Sequence, residues 1–188
     1  FEMRIAGTPY LEILKQGGGI LSSVKSVEAA SKQDLVDSTL GRLKTALRFG
    51  TTSIEIKSGY GLDTENELKM LWAIDKVSQL AKQDIRATFL GAHAIPPAYR
   101  ENPDDFIDLI IDEMLPEIAA NKLATHCDIF CEEGVFSIPQ GRKLLQAAKN
   151  MGLETKIHAD EVHNLGGAGL AAELESSSAD HLLAASEV

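Results

Sequence analysis

Short apolar runs of strand length alternate along this chain with longer stretches whose apolar residues recur at helical spacing. The runs predict strands at 53–57, 85–92, 127–131, 154–158 and near 181–185. The first helical stretch carries Val36, Leu40, Leu43 and Leu47, with Ser31 and Asp34 placed to cap its start and Gly50 to close it. The second begins at a predicted capping box, Thr64 with Glu67, and buries Met70, Ile74, Val77 and Ala81. The third shows Phe106, Ile110, Met114 and Ile118, and Pro116 should break or kink it. The fourth opens on Ser137 and Gln140, buries Leu144, Leu145 and Ala148, and ends at Gly152. A glycine-rich helical segment near 165–174 precedes the last strand. Ahead of all these, Gly17-Gly18-Gly19 should end a short helix over Tyr10–Leu14.

Strands alternating with helices of this length make parallel βαβ units. No linker or shift in composition divides the chain, so residues 1–188 are expected to be one piece of one domain, helical over 1–50 and βα over 51–188. A complete (β/α)8 barrel takes about 250 residues, and only five strand candidates are present. The expected fold is an incomplete TIM barrel. The chain also begins at Phe1 without an initiator Met, which suits a central fragment.

The polar chemistry recurs where each apolar run ends. Lys57-Ser58-Gly59-Tyr60 follows the first strand, Gly91-Ala92-His93 the second, and His158-Ala159-Asp160-Glu161 the fourth. In parallel barrels the loops after the strands converge on one face and carry the active site. His158 is the leading candidate, because imidazole is a good neutral ligand for zinc or iron and Glu161 lies close enough along the loop to serve as a base. A core or capping histidine suits the same position. His181, beside Asp180, is one crossover and one strand further on, so both imidazoles can face one mouth; a structural pairing of His181 with Asp180 is the alternative. Tyr60 is exposed by flanking glycines for substrate contact or packs as a turn aromatic. His93, before Pro96-Pro97, has the same two readings.

Composition narrows the function classes. Lysine and arginine total 18 against 28 acids, a net charge of −10, which argues against nucleic-acid binding. No stretch approaches the roughly 18 apolar residues of a membrane span. Cys127 and Cys131 suit a reducing cytoplasm and share one strand face with Ile129, so both, with neighbouring His126, are taken as structural rather than chemical. Gly166-Gly167-Ala168-Gly169 lacks the Lys-Ser/Thr of a phosphate loop, and its glycines are expected to permit close helix–strand packing.

Six segments together resemble the imidazolonepropionase family of the amidohydrolase superfamily. They are Gly17–Ser22, Glu55-Ile56-Lys57-Ser58-Gly59-Tyr60-Gly61-Leu62, Phe89-Leu90-Gly91-Ala92-His93-Ala94, Lys156–Glu161, Asn164-Leu165-Gly166-Gly167 and Ser178–Leu182. The resemblance implies a metal-dependent barrel with a small β-rich domain. It also implies hydrolysis of the cyclic amide 4-imidazolone-5-propanoate to N-formimidoyl-L-glutamate in histidine degradation. It makes His158 the metal ligand for one divalent zinc or iron and Glu161 the substrate-contacting acid/base. It makes His181 the residue that orients the attacking water or reacting group, and Tyr60 and His93 substrate contacts. The complete enzyme would be a cytoplasmic homodimer. The family's strand-one His-x-His pair, strand-eight Asp and substrate-binding Arg have no counterpart here, so the chain alone is expected to be inactive. Another amidohydrolase or deaminase is the alternative; the lack of Lys over Cys127–Glu132 favours a mononuclear site. A non-catalytic fragment is the other.

Overall fold

The computed structural model describes residues 2–8, 12 and 19–186. Among the described residues the chain opens with α1 (Glu2–Ile5), α2 (Ile20–Ala29) and α3 (Lys32–Arg48). Then follow β1 (Ser53–Lys57), α4 (Thr64–Leu80), β2 (Asp84–Ala92), α5 (Pro103–Leu109), α6 (Leu115–Asn121), β3 (His126–Cys131), α7 (Ile138–Asn150), β4 (Glu154–Ala159), α8 (Gly167–Glu173) and β5 (Ser178–His181). The strands form one parallel sheet in sequential order, the arc of an incomplete (β/α)8 barrel. Of the short helix expected over Tyr10–Leu14 only Glu12, which is helical, is among the described residues, and Gly17-Gly18 lie outside them; Gly19 precedes α2 with φ 63°.

Strand alternation explains the layering. Cys127, Ile129 and Cys131 turn to one side of β3 and are fully buried in a core with Phe106, Ile110, Met114, Ile118, Leu144 and Leu145. The cysteines are therefore core residues, as expected, and both are free. Burial of apolar area on this helix-covered side supplies the main stabilisation. Two glycines allow the helices to come close. A Cβ on Gly141 of α7 would stand 2.7 Å from Cys131 Sγ, and one on Gly167 of α8 would stand 2.6 Å from the Ala159 Cβ.

Ser31 with Asp34, and Ser137 with Gln140, form the two capping boxes expected for α3 and α7. The third expected box does not form. Asp63 caps α4 by accepting from Asn66 N at 2.7 Å, and Glu67 points elsewhere. The buried side of α4 is also rotated, with Leu71, Ala73, Ile74 and Val77 inside while Met70 and Ala81 are half-buried. Pro116 does not end its helix. A π-turn over Ile110–Met114 absorbs the proline, which then sits in the first turn of α6, where a missing N–H costs little. The last strand ends at His181 instead of starting there, because Ser178–His181 pairs with Lys156–Ala159 and His181 and Leu182 then take left-handed backbone (φ 76° and 58°). No described helix is long and apolar enough to cross a membrane.

Candidate active site

The loops after β1, β2 and β4 bring Tyr60, His93 and Glu161, and the ends of β4 and β5 bring His158 and His181, to one cavity of about 380 Å³, which Lys57, Ser58 and Phe130 also line. His158 and His181 lie on adjacent strands with ring centroids 5.1 Å apart. Tyr60 meets His93 edge-on at 5.1 Å, and His93 is 6.1 Å from His158. Glu161 approaches His181 with Oε2 3.7 Å from Nε2. His181 is thus paired with the loop acid, while Asp180 reaches across the barrel to Lys57 Nζ at 3.0 Å.

His93 has a defined tautomer. Its Nδ1 lies 3.0 Å from Gly59 O, and a carbonyl only accepts, so Nδ1 carries the proton. Burial is the main cause that lowers its pKa to about 4, with the Gly59 bond opposing and His158 adding to the shift. The neutral ring therefore has an unprotonated Nε2. A hydrogen-bond acceptor lines the cavity at this point.

The interior face of the strands carries a charged array that the sequence reading did not identify. Asp128, fully buried on β3, accepts from Lys57 Nζ at 2.7 Å and lies 3.0 Å from His158 Nδ1. Burial opposes the charge on both partners. Attraction nevertheless holds Lys57 above its ordinary pKa and Asp128 below the usual carboxylate range. Next to them, Glu55 pairs with Lys156 at 3.3 Å and accepts from Thr88. The signal was present in the strand period: Asp128 alternates with Cys127 and Ile129, so it must face the opposite side from the core.

Ligand atoms of Asp128, His158 and Asp180 lie within 4.8 Å of one another, a group that can hold a metal ion. The Lys57 ammonium bridges the two carboxylates, so a cation already occupies the space between them. His158 fits a ligand role better than either acid. A ligating imidazole typically has its second nitrogen held by a carboxylate, and Asp128 does this at Nδ1, which leaves Nε2 for an ion.

Buried carboxylates also shape the loops, and no sequence motif announced this. Asp160 is 1% exposed and accepts from the N–H groups of Leu165, Gly166, Gly167 and Ala168 at 2.9–3.1 Å. Glu132 accepts from Val162 N at 2.8 Å and meets His163 Nδ1 at 2.8 Å, fixing the segment after Glu161. His163, also unforeseen, lines a neighbouring cavity of about 630 Å³ that shares His93 and Phe130 with the first. Leu62, Asp160 and His181 all have positive φ in these loops, a backbone conformation that costs free energy and tends to cluster at functional sites.

No family model matches the chain. Curated relatives do. An imidazolonepropionase of Desulfotalea psychrophila is 63% identical over 187 residues, 100% of this chain and 45% of the relative. Those of Alkaliphilus oremlandii and Syntrophobacter fumaroxidans are 56% and 54% identical over 98% and 100% of this chain, and 44% of each relative. The chain therefore spans less than half the length of the relatives it matches. Identity at this level along the whole chain makes it a member of the imidazolonepropionase family.

Proposed function

We propose that residues 1–188 are the central part of a single amidohydrolase barrel domain, and that the complete enzyme hydrolyses 4-imidazolone-5-propanoate to N-formimidoyl-L-glutamate. The observation that carries this reading is the convergence of Tyr60, His93, His158, Glu161 and His181 on one cavity at the ends of successive parallel strands. The relatives' shared name supports the choice of substrate. The enzyme is read as a cytoplasmic homodimer acting on a small molecule.

His158 would hold one divalent cation, zinc or iron, through Nε2, with Asp128 keeping the proton on Nδ1. Such an ion supplies Lewis-acid chemistry and makes hydroxide accessible near neutral pH. The protein's own groups do the rest. Tyr60 and the Nε2 of neutral His93 orient the ring by hydrogen bonding. Glu161 takes the proton from the attacking water and returns it to the ring nitrogen as the C–N bond breaks. His181, held beside Glu161, orients the water and stabilises charge developing on the carbonyl oxygen.

The test uses the complete enzyme and follows ring opening by loss of imidazolone absorbance. His158→Ala should lose metal and turnover together. Glu161→Gln should keep metal and lose turnover. Normal metal content and turnover in the His158 variant would overturn the reading.

A further inference from the structure

We propose that Glu67 is a positioning residue for the substrate-orienting pair Tyr60 and His93; this rests on the reading above. Glu67 lies in the first turn of α4, outside the cavity, and is fully buried. Its Oε1 accepts from Gly61 N at 2.6 Å, Leu62 N at 3.0 Å and Gly59 N at 3.1 Å, and its Oε2 accepts from Gly59 N at 2.9 Å. The neighbouring Ser58 hydroxyl favours the charged form of this carboxylate, and its oxygen accepts from Leu90 N at 3.0 Å. Glu67 thus ties the loop on both sides of Tyr60, and Ser58 joins that loop to the strand that leads to His93.

The loop is wound tightly around this carboxylate. Gly59 has φ 98°, and a Cβ there would come within 2.7 Å of Leu90 O and 3.1 Å of His93 Nδ1. The Gly59 and Gly61 N–H groups, both held by Glu67, belong to the peptide planes on either side of the Gly59–Tyr60 peptide, so Glu67 restricts the direction of Gly59 O from both flanks. That oxygen receives the His93 Nδ1 proton. Glu67 therefore acts on His93 through Gly59 and on Tyr60 by pinning the residues on either side of it. A carboxylate suits the position because it only accepts, and every neighbour it meets donates. Glutamine would turn an NH2 toward N–H donors, so the loop would have to shift. Small shifts in orienting groups are expected to appear in substrate binding before they appear in the chemistry at Glu161 and His181.

The experiment measures kcat, KM and metal content of the complete enzyme and of its Glu67→Gln and Glu67→Asp variants, with 15N spectra of the histidine rings. The expected result for Glu67→Gln is a KM raised about tenfold or more, kcat within about threefold and metal content unchanged. The His93 signals should move from a pure Nδ1–H tautomer toward a mixture. Glu67→Asp keeps the charge but is one methylene shorter, and should fall between wild type and Glu67→Gln. Should Glu67→Gln not fold, the aspartate variant carries the test by the same signature. Wild-type KM and His93 spectra in a folded variant would overturn the inference while leaving the proposed function intact. So would failure of both variants to fold, which would make Glu67 a structural residue. A wild-type enzyme inactive on imidazolone propanoate would overturn the functional reading, and this inference with it.

Discussion

Replacing Asp160 by asparagine isolates what a buried carboxylate contributes to the loop that carries Glu161. Asn tolerates left-handed backbone about as well as Asp does, so the φ of 49° at this position adds little to the cost. The change is confined to the acceptor. In the wild type, Oδ1 takes the N–H groups of Leu165, Gly166 and Gly167, and Oδ2 takes that of Ala168. Asparagine can keep its oxygen toward the first three but must turn its amide toward Ala168 N–H, leaving one buried donor unpaired. A hydrogen bond to a charged group contributes about 1.5–3 kcal/mol, and the remaining three weaken when the charge is lost. The expected loss is about 2–4 kcal/mol at neutral pH, by urea unfolding of the complete enzyme followed by circular dichroism. The pH dependence gives a second check. Burial opposes the Asp160 charge, but the backbone donors outweigh it and lower its pKa from the ordinary 3.8. A lowered folded-state pKa contributes stability that is present above the unfolded value and is lost as pH falls through the folded one. The gap between wild type and variant should therefore be constant above about pH 5 and close progressively below about pH 4. A gap under about 0.5 kcal/mol at pH 7, or one that does not close in acid, would refute this account.

In the complete enzyme, His158→Ala should abolish turnover with loss of metal, whereas Cys127→Ala should retain turnover and cost about 1 kcal/mol of stability, as read from metal analysis and unfolding. Gly59→Ala should cost about 2–4 kcal/mol and raise KM, since its Cβ would run into Leu90 O and the His93 ring at a φ of 98°; an unaffected variant would count against the Gly59–His93 link. Burial raises the Cys131 thiol to about 12 and Cys127 further still, so neither should react with a thiol reagent until the protein unfolds. The isolated 188-residue chain should neither retain metal after dialysis nor open the imidazolone ring, because His158 is its one expected ligand and about three are needed; a purified monomer with one tightly held metal and measurable turnover would show that the ligands are misplaced.

By itself the sequence determined the order and kind of the elements, because those depend on local periodicity and end signals. The apolar alternation of Cys127, Ile129 and Cys131, the helical spacing of Phe106, Ile110, Met114 and Ile118, and the two serine capping boxes are all read within a turn or a strand. It also placed Tyr60, His93, His158, Glu161 and His181 at strand ends, which is enough to put them at one mouth once the strands are parallel. Tertiary structure decided what each buried acid does. Thr64 with Glu67 satisfies the local pattern of a capping box, yet Glu67 accepts from the N–H groups of Gly59, Gly61 and Leu62 instead, and Asp63 takes over the cap. Asp128 meets Lys57 and His158 only when β1 to β4 are assembled into one sheet, and Glu132 reaches Val162 and His163 across a strand boundary. Pairing with β4 likewise ended the last strand at His181, against the apolar run that continues beyond it. A buried charge must find its partners wherever the fold delivers them, and those partners come from residues far apart along the chain.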